Sequence, residues 1–136
     1  MRFFRLRSAL LVASVCATVS FAGATSAFAS GSSCTYGASN GNTRTCMSVN
    51  GSGLHINSAT ASAHVVNVGR TLEVCMTGPA VGSCSGFVFV SPGQTLSGSW
   101  SPNANEPTGD YCAVTYRQNA NGSQTQIGRA CVNVHS

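Results

Sequence analysis

The feature that most constrains the fold of this chain is that six of its seven cysteines, all but Cys16, form three close pairs that each flank a turn signal. The turn signals are Ser-Asn-Gly at 39–41, Gly-Pro at 78–79 and Asn-Gly at 121–122. An even set of cysteines with turn residues between neighbours is typical of a small exported domain held by disulfides. The sequence therefore predicts an oxidised β-domain.

Hairpin geometry predicts which cysteines pair in the last third of the chain. An Asn-Gly sequence at 121–122 favours a two-residue type I′ turn. That turn would place Cys112 directly opposite Cys131, at a spacing that permits a disulfide. The same register would place Tyr116 opposite Ile127.

The other two pairs are predicted by similar reasoning. A three-residue loop at 39–41, with its glycine left-handed, brings the flanking cysteines opposite each other. Residues 76–83 are expected to form a looser loop between the middle pair. Spacing alone leaves other connectivities open. The predicted disulfides are Cys34–Cys46, Cys75–Cys84 and Cys112–Cys131.

Residues 1–29 have the features of a cleavable signal peptide. Arg2, Arg5 and Arg7 form a basic start, an apolar run follows, and Ala27 and Ala29 are the small residues that precede a cleavage site. The apolar run is shorter than the ~20 residues of a membrane-spanning helix. We therefore expect a signal-peptide helix at 1–29, one disulfide-rich domain at 30–136, secretion, and no membrane association after cleavage.

The predicted domain carries too few charges to bind nucleic acid. It has no lysine, and its arginines outnumber its acids by one. Dispersed cations of this number cannot neutralise a run of phosphates. The charged residues are Arg44, Arg70, Arg117, Arg129, Glu73, Glu106 and Asp110.

Short alternating runs between turn signals predict an all-β fold. Eight or nine short strands in a domain of this size favour a small antiparallel β-sandwich, immunoglobulin-like or similar. Phe87 and Phe89 alternate with valines, so their segment is apolar on both faces and is expected at the centre of the core. The predicted strands are 34–36, 44–49, 53–56, 63–68, 71–76, 85–90, 94–100, 110–117 and 126–134.

Residues 109–116, Gly-Asp-Tyr-Cys-Ala-Val-Thr-Tyr, resemble the penultimate strand of an immunoglobulin-type sandwich. In that family the corner tyrosine precedes the cysteine by two residues, whereas Tyr111 is adjacent to Cys112. The chain is also similar to small exported six-cysteine proteins of high-GC Gram-positive bacteria. Its alanine-rich signal, its lack of lysine and its segment 46–54 carry that resemblance, which implies export and a β-fold but no reaction.

His55 and His64 are the one weak candidate for a metal site. A turn centred on residues 59–60 would place the two imidazoles opposite each other, where they suit Cu²⁺ or Zn²⁺. A complete site needs further ligands, and none lies near in sequence. The alternative is two polar residues on a solvated strand, so we expect no metal and no cofactor.

The inventory for catalysis is small. Glu106 and Asp110 share the loop 103–109 and can approach each other, as a glycosidase requires of two carboxylates. No Gly-x-Ser-x-Gly elbow is present, and oxidised cysteines are not nucleophiles. We expect no enzyme, with a small hydrolase as the third choice.

Exposed aromatic residues are the main candidates for binding. Tyr36, Trp100 and Tyr111 offer large apolar area with a polar handle, which suits an interface. Pro79 lies in the Cys75–Cys84 loop, which a protease inhibitor or an antimicrobial factor would present to its target. The sequence favours a secreted, non-enzymatic binding module whose partner is a wall polymer or an extracellular protein.

Overall fold

The computed structural model describes residues 29–37 and 41–136, which form ten β-strands and no helix. Most of the predicted signal peptide lies outside the described residues. The strands are β1 Gly31–Tyr36, β2 Thr43–Ser52, β3 His55–Val65, β4 Arg70–Gly78, β5 Val81–Cys84, β6 Val88–Val90, β7 Thr95–Trp100, β8 Ala104–Asn105, β9 Gly109–Gln118 and β10 Gln124–Val134.

The strands form two antiparallel sheets, which confirms the predicted all-β sandwich. The first sheet has the order β1-β2-β3-β7, and β8 continues beside β3. The second sheet has the order β10-β9-β4-β5, and β6 also pairs with β4. The chain passes from one sheet to the other between β3 and β4, between β6 and β7, and between β8 and β9.

The core lies between the sheets because side chains alternate along every long strand. Met47 and Ile56 of the first sheet are fully buried, as are Leu72 and Tyr111 of the second. A buried hydrogen bond of 2.8 Å joins the hydroxyl oxygens of Thr45 and Thr115 across the layers. The core therefore combines apolar packing with a buried hydroxyl–hydroxyl contact between the sheets.

The structure corrects the prediction of two strands at 53–56 and 63–68 joined by a turn at 59–60. Residues 55–65 form the single strand β3. Ala59, Ala61 and Ala63 are buried at every second position, and Thr60 and Ser62 alternate with them on the other face. Alanine and serine carry little β-propensity, so the regular alternation was hidden by small side chains.

The structure also corrects the expectation that segment 85–90 is central. Only Val90 is buried; Val88 is 48% exposed and Phe89 is 63% exposed. Gly86 has a φ of +79°, and regular pairing with β4 is interrupted between β5 and β6. This segment therefore lies at the edge of its sheet, and the described residues leave Phe89 on its outer face largely uncovered.

Each disulfide closes within one hairpin, as predicted: Cys34–Cys46, Cys75–Cys84 and Cys112–Cys131. Three disulfides indicate an oxidising environment of the extracellular type. In the last hairpin, however, the turn is not a two-residue loop. Residues 119–123 form a longer loop, and a bulge at Ile127 restores the register, so Tyr116 lies opposite Gln126 instead.

The middle hairpin is tighter than the predicted loop 76–83. Pairing between β4 and β5 continues to Gly78 and Val81, so the loop is only Pro79-Ala80. Gly78 lies against the ring of Tyr111, where an added Cβ would come within 2.6 Å of it. Pro79 packs in the same way against Gly109. The hairpin tip therefore rests on β9.

No helix that could span a membrane occurs in the described part of the chain.

Candidate functional site

Four of the large hydrophobic residues with high exposure lie at one end of the sandwich. Residues 66–69 connect β3 to β4 there, and β6 pairs with the first residues of β4 beside them. We call this region the apolar end surface, defined by Val66 (40% exposed), Val68 (57%), Val88 (48%) and Phe89 (63%). A concentration of apolar area on a small, weakly charged domain is typical of an interaction site.

The loop that carries Val66 and Val68 is held by one buried side chain. Asn42 is 3% exposed. Its Oδ1 accepts hydrogen bonds from the backbone N–H groups of Asn67 and Val68, each at 2.8 Å. Its Nδ2 donates to the carbonyl oxygen of Val68 at 2.9 Å, and its own carbonyl accepts from the N–H of Val66 at 2.7 Å. Asn42 therefore fixes the exposed valines in place.

Phe89 is positioned by the strand beside it. It pairs with Thr71, and its ring lies over Gly69, where an added Cβ would come within 2.6 Å of the ring edge. Glycine at 69 therefore permits this close approach of the ring to the backbone. A groove of about 360 Å³, lined on one side by Val88, Phe89 and Val90, extends toward Thr95 and Leu96 of β7.

A second concavity opens along the side of the sandwich where β7 and β5 are the outer strands. This cleft has a volume of about 390 Å³, and Val74, Met76, Leu96 and Gly98 are among the residues that line it. Serine residues of β5 and β7 form its rim. The cleft and the groove share Leu96, so the two concavities adjoin at this residue.

Trp100 and Tyr111 do not form an exposed binding patch. Their rings stack with centroids 6.0 Å apart and planes 17° apart. Tyr111 is fully buried, and its hydroxyl donates a hydrogen bond of 2.9 Å to the carbonyl oxygen of Pro107. Burial, and next the charge of Glu106, raise the pKa of the Tyr111 hydroxyl above its ordinary value. The prediction of Tyr111 as a binding residue is wrong, because the core needs its ring.

Tyr36 and Pro79 are exposed but lie apart from each other and from Trp100. Tyr36 is 63% exposed at the end of β1, on the far edge of the first sheet from β7. Three strand spacings of about 4.8 Å separate those two edges. Pro79 lies at the tip of the β4–β5 hairpin in the other sheet. The predicted aromatic residues therefore do not share one surface.

The two histidines of the proposed metal pair do not face each other. Both lie on β3, nine positions apart, which corresponds to about 30 Å along a strand. His64 Nδ1 is 2.9 Å from the Thr95 hydroxyl, and His55 Nε2 is 3.2 Å from Asn103 Oδ1. The turn that would have brought the histidines together is absent, because residues 55–65 are one strand.

The carboxylates do not converge on a cavity. Asp110 accepts a hydrogen bond of 2.8 Å from the amide of Asn133 on the neighbouring strand. Glu73 borders a shallow hollow of about 380 Å³ above the Cys75–Cys84 disulfide. Its carboxylate lies near both sulfurs, but sulfurs bonded to each other are not thiolate ligands. Within residues 29–37 and 41–136, neither concavity beside β7 contains a carboxylate.

Sequence reasoning missed the residues that form the apolar end surface. The sequence predicts regular strands at Val66, Val68 and Phe89, because Val-x-Val and Phe-x-Phe patterns are typical of buried β-structure. The Ser-Asn-Gly sequence at 39–41 indicates a turn next to Asn42, but it gives no sign that Asn42 bonds to a loop 25 residues later.

Comparison of the chain with protein-family models, with curated proteins and with solved structures finds no match.

Proposed function

We propose that this chain is an exported, non-enzymatic binding module of immunoglobulin-like type, which binds an extracellular protein through the apolar end surface. The observation that carries the proposal is the 63% exposure of Phe89, whose ring lies over Gly69, the residue after the exposed Val68. Three disulfides and the signal-like start of the sequence support export.

The order of the strands supports an immunoglobulin-like architecture. In an immunoglobulin domain one sheet begins with strands A, B and E, and the other contains G, F and C. If β2 and β3 correspond to A and B, then β7 takes the place of E, and β10-β9-β4 take the places of G, F and C. The Tyr111–Pro107 bond is of the kind made by the corner tyrosine of such domains.

A protein partner suits the chemistry of this surface better than a wall polymer. Sugar recognition needs several polar groups around an aromatic ring. The end surface instead offers three valines and one phenylalanine, with Arg70 as the charged residue on the adjoining part of β4. Apolar side chains of this kind are stabilised by contact with another apolar protein surface.

The test compares two variants that each remove an exposed aromatic ring. Phe89→Ser removes the ring of the end surface, and Tyr36→Ser is the matched control because both residues have the same relative exposure, 63%. The oxidised protein and both variants are immobilised and incubated with extracellular proteins and, separately, with purified cell wall. We expect that wild type and Tyr36→Ser retain the same extracellular protein. Phe89→Ser should bind that protein at least about tenfold more weakly, which corresponds to about 1.4 kcal/mol.

Two results would overturn the proposal. Retention of the same proteins by Phe89→Ser would show that the end surface is not the contact. Binding to cell wall alone would exclude a protein partner. Circular dichroism of each variant separates loss of contact from loss of fold, since an exposed edge residue should leave the spectrum unchanged.

An inhibitor acting through the Cys75–Cys84 loop remains the alternative proposal. A rigid, disulfide-closed hairpin with Pro79 exposed at its tip supports it, because little entropy is lost on binding. Its two-residue tip rests on Gly109, which leaves less backbone for a protease to engage than the predicted eight-residue loop. Serine-protease inhibition that Pro79→Ala abolishes would favour this alternative.

A further inference from the structure

One long edge of the first sheet is left without a partner strand. β7 pairs with β3 on one side, and no strand among the described residues pairs with its other side. Natural edge strands are commonly protected by charge, by proline or by a bulge. β7, with the sequence Thr-Leu-Ser-Gly-Ser-Trp, has none of these.

The hydrogen-bonding pattern shows which residues offer free backbone groups. The N–H of Val65 donates to the carbonyl of Gln94 at 3.0 Å, which starts the ladder between β3 and β7. In an antiparallel pair, every second residue of a strand directs its backbone N–H and C=O groups toward the partner strand, and the residues between direct theirs away from it. Leu96, Gly98 and Trp100 therefore bond to β3. Thr95, Ser97 and Ser99 direct their N–H and C=O groups outward.

We infer that β7 pairs with β7 of a second copy of this chain, antiparallel and around a two-fold axis at Ser97. In this register Ser97 faces Ser97 of the other copy, and Thr95 faces Ser99 in both directions. All three outward residues then exchange backbone hydrogen bonds, six in total for a ladder of this length. The two first sheets become one continuous sheet across the dimer.

The side chains on the inner face are complementary in this register. Leu96 of one copy lies opposite Gly98 of the other. Leu96 is only partly buried within its own chain, and a Cβ added at Gly98 would meet no atom within 4 Å. Both residues line the cleft. The leucine of each copy therefore covers the space above the glycine of its mate.

The side chains that would face each other on the outer face are all uncharged. Ser97 would face Ser97, and Thr95 would face Ser99, which are pairs that stabilise antiparallel strands through their hydroxyl groups. The predicted domain carries only one more arginine than acids, so repulsion between two copies is small. The same edge would repel itself if it contained a lysine or a glutamate at any of these positions.

The test measures the mass of the oxidised protein by sedimentation equilibrium over a wide concentration range. We expect a monomer–dimer equilibrium. Ser97→Pro removes an outward N–H that bonds to no strand among the described residues of its own chain, so we expect it to preserve the fold and to eliminate two hydrogen bonds of the dimer. The dimer Kd should rise about 30-fold. Ser97→Thr, which keeps the N–H, should leave the Kd within about twofold.

A second variant keeps the inference falsifiable if proline disturbs β7. Gly98→Leu adds a side chain into open space in the monomer but collides with Leu96 of the other copy, so it should also weaken the dimer. Gly82→Leu is its control, because an added Cβ there also meets nothing, but on β5. A monomer at every concentration, or a dimer that Ser97→Pro and Gly98→Leu leave unchanged, would overturn the inference.

This inference is independent of the proposed partner binding. Val68→Ser should weaken partner binding and leave the dimer Kd unchanged, because Val68 lies on the β3–β4 loop and, unlike Phe89, does not line the groove that reaches Thr95 and Leu96. Ser97→Pro should have the opposite pattern. A monomer that still binds its partner through Phe89 would refute only the dimer, and a dimer that binds nothing would refute only the proposed function.

Discussion

Replacement of Asn42 by alanine tests whether one buried amide holds the apolar end surface together. The substitution removes three side-chain hydrogen bonds, at 2.8, 2.8 and 2.9 Å, and leaves the backbone bond from Val66 in place. The cavity left by the substitution is small, since asparagine and alanine differ by one amide group. The loss of stability therefore comes mainly from the missing hydrogen bonds.

The expected magnitude follows from the number of bonds. A hydrogen bond within a protein contributes about 1 kcal/mol net, so three give about 3 kcal/mol. Asn67 and Val68 are exposed, and water can therefore reach part of the freed backbone. We expect the free energy of unfolding to fall by about 2–3 kcal/mol, which corresponds to about 10–15 °C in Tm for a domain of this size.

The assay is urea unfolding of the oxidised protein, followed by the fluorescence of Trp100. Asn57→Ala is the matched control, because Asn57 is an exposed asparagine of β3 and its removal should change the free energy by less than about 0.5 kcal/mol. Equal effects of the two substitutions would refute the role assigned to Asn42. Weaker partner binding by Asn42→Ala at a temperature where it stays folded would link the amide to function.

Three further predictions concern polar groups in the core. Thr43→Val should raise the free energy of unfolding, measured by urea unfolding, by about 1 kcal/mol. The reason is that the buried Oγ1 of Thr43 has no hydrogen-bond partner among the described residues. Thr45→Val should lower the free energy of unfolding by about 1–2 kcal/mol, and adding Thr115→Val should recover part of that loss in a double-mutant cycle, since no hydroxyl is then left unpaired. The folded-state pKa of Tyr111 is raised, so the neutral Tyr111 hydroxyl contributes stability that is fully present below the ordinary tyrosine pKa of about 10. This contribution is lost as the pH rises above about 10 toward the folded-state pKa, and the melting temperature should fall over that range. Tyr111→Phe should abolish this fall in melting temperature, and Tyr36→Phe should not.

Local geometry explains how much of the fold is predictable from the sequence. Every disulfide joins neighbouring strands of one hairpin, so short loops with turn residues were sufficient to predict all three pairs. In the last hairpin two errors cancel: the loop is longer than predicted, and the bulge at Ile127 shifts the register back before Cys131. Tyr116 lies between those two points, and its predicted partner is therefore wrong.

The candidate site was less predictable because it depends on which strands lie at an edge. The pattern around Phe89 indicates a strand but cannot show whether a second layer covers it. The contacts of Asn42 with residues 67 and 68 depend on how β3 folds back beside β2, which requires the correct length of β3. A prediction that divides β3 at residues 59–60 therefore cannot locate the end surface or show that the two histidines lie far apart.

The disulfides also determine how the molecule comes apart. One closes β1 onto β2, one β4 onto β5 and one β9 onto β10, so none joins the first sheet to the second. An oxidised chain that loses its core is therefore three small rings connected by flexible linkers, and its two halves can separate without breaking a sulfur–sulfur bond. Each ring can close as soon as its own hairpin has emerged, before the rest of the polypeptide is present.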